Sequence, residues 1–413
     1  MLFLTFFFPV VTLLLAHTIQ NWFRLRHIPG PLWAKVTDLW RAYHYIKGDY
    51  GDVLLTLHRR YGDLVRTGPN SVNLGNPSGV PVLYRTNPTL KKGNFYISVA
   101  TSERGREIHS VGSTMDEEIH TRLKRPMAPY FAIPSLLGME SAMDEIQQEL
   151  EDQICRRVTV DVVLWMRLFS LESLYWIAFS NKLGYLSQGN DADGVLSMLQ
   201  SKFVFACYTS TAPIVGWLAN YVAGFIGPGL DSLFPKAAQE LQSRRRNKKT
   251  KTTHRDLLAH FMDASQKDPE TLEEKGVLGA TISTIFAGSD TTGTTLTFLL
   301  YYLVKHPAAL ARLREELDSA VRSGNLSYAP KWTEVSTLNY LQAVFKETLR
   351  LHSAARISLY RAVGPEGLDL CGERLPSGTN VGCFGYTAHR NEPVYGSDAG
   401  LFRPERWIEA SNE

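Results

Sequence analysis

Glu347-Thr348-Leu349-Arg350, followed downstream by Phe402-Arg403-Pro404-Glu405-Arg406-Trp407, is the stretch on which the fold turns. Glu347 and Arg350 are three residues apart, so on a helix they share one face. In isolation that spacing describes an exposed ion pair. The second segment changes the reading, because it places another arginine, Arg406, in an aromatic and proline-bounded context after the helix.

Around this pair the chain reads as helical. Trp332-Thr333-Glu334 opens a pair of helices, and Leu338–Leu351 carries Glu347 and Arg350 on one helical face. Lys305-His306-Pro307 breaks a helix, and Ala308–Val321 restarts it with charge on one face. Between Lys275 and Lys305 the only charged side chain is Asp290. That length could cross a bilayer. The centre reads Ala287-Gly288-Ser289-Asp290-Thr291-Thr292-Gly293-Thr294-Thr295, too polar for a lipid-facing anchor, so a long helix through the middle of a helical domain is expected. Asp290 is then a functional candidate, or else a satisfied carboxylate capping a local kink.

Earlier in the chain, the pattern is helical from Leu39 to Tyr61, from Met139 through Gln153, and from Val160 to Ala178. Leu64-Val65-Arg66-Thr67 and Ser71-Val72-Asn73-Leu74, separated by Gly68-Pro69-Asn70, form a hairpin signal. Strand-like pieces with turns at Gly364-Pro365, Gly372 and Pro376-Ser377-Gly378 follow from Arg356 to Ala388. Leu196–Leu233 is unusually apolar and broken by Pro213, Gly216, Gly227 and Pro228. The expected fold class is mainly α with a small β-rich part.

The 413 residues are 44% hydrophobic and 21% charged, a globular composition. A net charge of +3 gives no global field for nucleic acid, and the basic run Arg244–Arg255 has no interleaved aromatics, so it reads as a solvated loop. Cys155, Cys207, Cys371 and Cys383 are far apart and form neither a disulfide framework nor a zinc site, which fits a reducing compartment. Met1–Ala16 carries no charge, and the apolar run Leu2–Phe23 is followed by Arg24, Arg26 and His27. Residues 1–23 are therefore expected to be a transmembrane signal anchor with its basic flank in the cytosol. A cleaved signal peptide is the competing reading, and it lacks a charged n-region and a small-x-small site. Residues 24–38, with His27-Ile28-Pro29-Gly30-Pro31, read as a stiff hinge.

In order and spacing these motifs resemble the cytochrome P-450 family, the haem-thiolate monooxygenases, and in flavour its fungal microsomal members. The resemblance runs from the anchor and hinge through Tyr61–Asn70 to Trp407. It implies a monooxygenase domain over 39–413 that binds haem b and inserts one oxygen atom from O2 into a small lipophilic substrate, as in fungal secondary metabolism. Electrons would come from NADPH through a separate NADPH-cytochrome reductase. The location would be the endoplasmic reticulum membrane, single-pass, with the catalytic domain cytosolic. Asn325-Leu326-Ser327, a glycosylation sequon, would then face the cytosol and stay bare.

Residue by residue, Glu347, Arg350 and Arg406 match the family's buried ion triad. A three-member network can satisfy charges that would be costly to bury alone, and an arginine fork suits it. Ala287–Thr292 matches the oxygen-activation segment: Gly288 would leave space for a ligand, Thr291 would hold a water or donate a hydrogen bond, and Asp290 would relay protons. Ala287 would face the haem, and a local widening of the helix is expected there. His120, Lys124 and Arg125 match the helix that holds one haem propionate, with Lys124 where the family usually has arginine. Arg361 matches a second propionate-binding arginine. Each of these cations could also be ordinary surface charge, and Arg125 could belong to a reductase-docking patch. Ser353 stands where a proline usually follows Leu-His, which should loosen the turn. By position, Phe286 and Ile357 would touch substrate, as would the loop Lys92–Gly112 and the apolar stretch Phe203–Ile226.

The family's iron-ligating cysteine lies beyond the Phe402–Trp407 element in a glycine-rich loop, hence beyond Glu413. Cys371 and Cys383 precede that element, and Cys155 and Cys207 fall in helical stretches where a small buried hydrophobe is expected. The C-terminus is thus expected to be truncated, and the chain as given inactive. A fragment of a working enzyme, a catalytically inactive relative, and an unrelated two-span membrane protein are the three readings. The polar centre of Val277–Val304 argues against the third.

Overall fold

The computed structural model describes residues 16, 18–86, 90–93, 95–99, 101–103, 106–210, 221–222, 233–246, 255–270 and 272–409. Its strands are β1 (Leu64–Gly68), β2 (Ser71–Leu74), β3 (Lys91–Lys92), β4 (Thr101–Glu103), β5 (Arg106–Ile108), β6 (Arg361–Ala362), β7 (Leu368–Leu370), β8 (Glu373–Leu375) and β9 (Asn380–Cys383). One sheet has the order β1-β2-β9-β6-β3, and β4-β5 and β7-β8 are separate hairpins. The expected hairpin is present, with Leu64 opposite Leu74. Its second strand pairs in parallel with β9, Ser71 against Asn380, so the sheet ties the N-terminal third to the C-terminal region.

The longer helices are α1 (Leu32–Val36), α2 (Leu39–Lys47), α3 (Tyr50–Tyr61), α4 (Glu117–Met127), α5 (Glu140–Cys155), α6 (Val162–Phe179), α7 (Val195–Thr209), α8 (Leu233–Arg246), α9 (Leu257–Lys267), α10 (Glu274–Lys305), α11 (Pro307–Arg322) and α12 (Asn339–Leu351). Aspartates start several of them. Asp116 caps α4 at the amides of Glu118 and Ile119, and Asp161 caps α6 at those of Val163 and Leu164, satisfying donors that a helix start leaves open. The helix expected over Leu39–Tyr61 is two helices, because Gly48 takes a left-handed conformation at φ 77° and ends α2.

At the centre lies α10, packed against α6, α7, α8, α9, α11 and α12. Its apolar ends and polar middle therefore belong to a buried helix. The expected widening does not occur, since α10 is α-helical without interruption. Among the described residues, α6 is the one helix long and apolar enough to cross a membrane, and with 61% of it buried it is a core helix. Residues 18–24 are helical, while most of the expected anchor lies outside the described residues, as do 211–220 and 223–232 of the apolar Leu196–Leu233 stretch.

The Pro/Gly stretch is tied to β1: Arg66 N donates to Pro29 O at 2.7 Å, and a Cβ on Gly30 would lie 2.3 Å from Arg66 O. The Arg66 side chain is buried and donates to the carbonyls of Leu25 and Asn21, which fastens that segment to β1. One local expectation is corrected: the basic run is not wholly a solvated loop. Arg244–Arg246 ends α8, and the Arg244 guanidinium pairs with buried Asp256 and the Phe179 carbonyl. Residues 247–254 lie outside the described set.

Candidate active site

Beneath the centre of the fold, α12 presents Glu347, which is fully buried. Its Oε1 accepts from Arg350 Nη2 at 2.7 Å, Arg406 Nε at 3.0 Å and the Arg403 amide at 2.9 Å. Its Oε2 accepts from Arg350 Nε at 2.8 Å and Trp407 Nε1 at 3.0 Å. Burial alone would raise the carboxyl pKa, but these bonds and the two guanidinium charges hold it below the usual range. Arg350 is satisfied in turn by the carbonyls of His389, Ala399 and Leu401 at 2.7, 2.6 and 3.1 Å. The triad read from the sequence is one connected network. Trp407 is a member that spacing does not reveal.

The polar middle of α10 divides its residues between two faces. Gly288 and Gly293 face α6. A Cβ on Gly288 would lie 2.6 Å from Leu174 Cδ1, and one on Gly293 would lie 2.9 Å from Arg167 Cα. The space expected beside Gly288 for a ligand is therefore filled by Leu174, and the glycine serves helix approach. Ala287 and Thr291, one turn apart, are exposed on a helix whose neighbouring Ser289 and Gly293 are buried. The Thr291 hydroxyl donates back to Ala287 O at 2.8 Å. Asp290 lies beside this strip and is ion-paired with Arg167 of α6 at 3.0 Å.

The expected anionic-group contacts separate. On α4, His120 and Lys124 share a face one turn apart, and His120 Nδ1 is 3.1 Å from Glu117 Oε1. Arg125 is on the adjoining face, lining a cleft of about 880 Å³ with Glu117, Glu118, Thr121, Arg122, Pro126 and Asp268. Arg361 lies elsewhere, with Nη1 donating to Tyr96 OH at 3.1 Å and its guanidinium over the rings of Tyr84 and Tyr96. Lys92 bridges the two regions: its ammonium donates to Val111 O at 2.9 Å, and burial, then the charge of Arg361, lower its pKa while Glu117 opposes them.

The two expected substrate contacts also part. Ile357 is buried with Phe95 and Tyr96, and Phe203 and Cys207 of α7 pack against them. Phe286 instead packs into the main helical core around α6 and α9. The haem that the resemblance implies would need an open face on the central helix and cations to pair with its carboxylates; the exposed Ala287–Thr291 strip and Arg361 are residues of the kinds that would suit it. The four cysteines do not supply its thiolate as placed. Cys383 is buried in β9 with its thiol pushed up to about 12 by burial, and Cys207 in the apolar cluster is pushed up to about 11. Cys371 lies in a turn, and Cys155 is exposed, contrary to the buried role expected for it.

Arg167 is the functional candidate that reading the sequence missed. A signal was present: Arg167 and Glu172 are the only charged residues of the apolar Val162–Phe179 helix. Glu172 is spent on the amides of Leu183, Gly184 and Tyr185.

Comparison with known proteins gives a consistent answer. The sequence model described as Cytochrome P450 matches residues 27–413. The chain is 63% identical to the protein named cytochrome P450 monooxygenase easK of Aspergillus fumigatus, over all of this chain and 97% of that one. It is 32% identical to a cytochrome P450 monooxygenase of Aspergillus terreus, over 98% of this chain and 85% of the other. It is 33% identical to cytochrome P450 monooxygenase cicH of Emericella nidulans, over 94% and 80%.

Proposed function

Because the chain belongs to the cytochrome P450 family, we propose that it is a haem-dependent monooxygenase acting on a small lipophilic molecule of fungal secondary metabolism. The observation that carries this reading is the exposed Ala287–Thr291 strip at the polar middle of the central helix, with Asp290 beside it. Haem, when bound, supplies the activation of dioxygen. The chain's part is placement and proton control. Turned away from Ala287 O, the Thr291 hydroxyl would hold a water or donate a hydrogen bond over the open face. Asp290, with a side chain 36% exposed, is placed to exchange protons with solvent.

Arg361, backed by Tyr96, is the residue best placed for one propionate, and His120 and Lys124 of α4 are the candidates for the other. The apolar wall of Phe95, Ile357, Phe203 and Cys207 supports a lipophilic substrate. Arg122 and Arg125 offer cations to an NADPH-dependent reductase. The protein would sit at the endoplasmic reticulum; attachment to a membrane is supported by the apolar N-terminus and by α2, which exposes Leu39, Tyr43 and Ile46 on one face, next to exposed Leu32 and Trp33 of α1.

The test is full-length protein in yeast microsomes with a fungal NADPH-cytochrome reductase. Haem uptake, a Soret shift with lipophilic ligands and NADPH-dependent product would support the proposal. Folded protein that takes up no haem would overturn it in favour of a catalytically inactive member of the family.

A further inference from the structure

We infer that Arg167 is a positioning residue that clasps Asp290 of α10 to the start of α7, so that displacement of α7 releases the Arg167–Asp290 pair to turn toward solvent. Arg167 reaches three helices. It projects from α6 at the point where Gly293 has no side chain; a Cβ there would lie 2.9 Å from Arg167 Cα and 3.1 Å from its Cγ. It thus passes against α10 and meets Asp290, one turn before Gly293, at 3.0 Å. Its Nη2 also donates to Leu196 O at 3.2 Å, and its Nη1 to Gln200 Oε1 at 3.3 Å, both on α7. Arg167 Nε is buried without a hydrogen-bond partner among the described residues. The guanidinium is therefore divided between a carboxylate on one helix and a carbonyl and an amide on another, and neither set saturates it.

That division gives the clasp its consequence. The helix α7 carries Phe203 and Cys207 of the apolar wall, one and two turns beyond Gln200. Movement of α7 to admit a molecule at that wall would break the bonds to the uncharged acceptors Leu196 O and Gln200 Oε1 first, because the pair with Asp290 adds the attraction of opposite charges. Arg167 would then be held by Asp290 alone and free to turn toward solvent with it. Conversely, a neutral residue at position 290 would leave Arg167 unanchored and loosen α7. The functional meaning rests on the proton-relay role proposed for Asp290; the mechanical link does not.

The experiment is amide hydrogen exchange on the full chain, comparing Arg167→Gln, Arg167→Lys, Asp290→Asn and the Arg167→Gln/Asp290→Asn double variant. Exchange across residues 196–203 is expected to rise about threefold to tenfold in Asp290→Asn and in Arg167→Gln, and no further in the double variant, as coupled sites require. Arg167→Lys, which keeps the charge, should recover part of the protection. Unchanged exchange at α7 in Asp290→Asn, or effects that multiply, would overturn the inference. Exchange in α5 and in β1–β2 controls for general unfolding, and Gln200→Ala is the milder variant if Arg167→Gln does not fold. Loosened α7 with unchanged product coupling in haem-loaded Asp290→Asn would support the clasp and sink the relay role of Asp290.

Discussion

Trp407 Nε1 donates to Glu347 Oε2 at 3.0 Å, and so closes the last open side of a carboxylate already held by Arg350 and Arg406. The bond joins the C-terminal Phe402–Trp407 segment to α12 through a fully buried charge. A buried ion network of this kind is tolerated only while every member keeps its partners.

Arg350→Ala is therefore expected to be the most damaging single change here. It would strip Glu347 of two bonds and a neighbouring charge, leave the carbonyls of His389 and Ala399 without their donor, and leave that of Leu401 with only the 3.5 Å bond from Arg406 Nη2. Breaking one partner of a buried pair costs about 3–5 kcal/mol, a large share of the total stability of an ordinary protein. Urea unfolding and haem content measure it. A soluble Arg350→Ala protein with normal haem content would show that the network does not hold the core.

Gly293→Ala should destabilise more than Gly288→Ala. The new methyl at 293 would meet backbone, at 2.9 Å from Arg167 Cα and 3.1 Å from Met166 O, and α6 and α10 would have to separate. Overpacking of that kind costs about 1–3 kcal/mol. At 288 the obstacle is the end of the Leu174 side chain, which can turn aside, and Leu174→Ala should rescue much of the loss. Urea midpoints of the two single variants and the pair decide this. Equal losses would mean that the helices can part as easily as a leucine can turn.

Both glycines were visible in the sequence, and their purpose was not. Motif order sufficed for the helical architecture, the β1–β2 hairpin and the Glu347–Arg350–Arg406 network, because helix periodicity, turn chemistry and the need to satisfy a buried charge are local or pairwise rules. What escaped was set by packing between distant segments. Leu174 occupies the space beside Gly288, Gly30 is pinned to Arg66 O, and Phe286 and Ile357 fall into different apolar clusters. Arg167 and Asp290 lie on separate helices, and no spacing rule couples them.

Acid should weaken the fold through His352. The imidazole is stacked on Phe298, and burial first, then the charges of Arg356 and Arg390, lower its pKa from 6.5 to about 4. Between these values the unfolded chain binds the proton and the folded chain does not, so stability is retained above pH 6.5 and lost as pH falls toward about 4. Thermal midpoints across this range should fall with pH, and His352→Phe, which keeps an aromatic ring against Phe298, should flatten part of the slope. An unchanged slope in that variant would assign the acid sensitivity to other groups.

Thr291→Ala tests the chemistry of the open strip with little risk to the fold. The hydroxyl is exposed, and its hydrogen bond to Ala287 O duplicates an acceptor that a helix already uses. Stability should change by less than about 0.5 kcal/mol. In the haem-loaded enzyme, loss of the hydroxyl should divert NADPH from product to peroxide while substrate binding, read by the Soret shift, stays near that of the parent. Thr291→Ser, which keeps the hydroxyl, should restore most of the coupling. A coupled Thr291→Ala enzyme would move proton delivery away from this side chain. Weakened binding with normal coupling would instead make Thr291 part of the substrate wall.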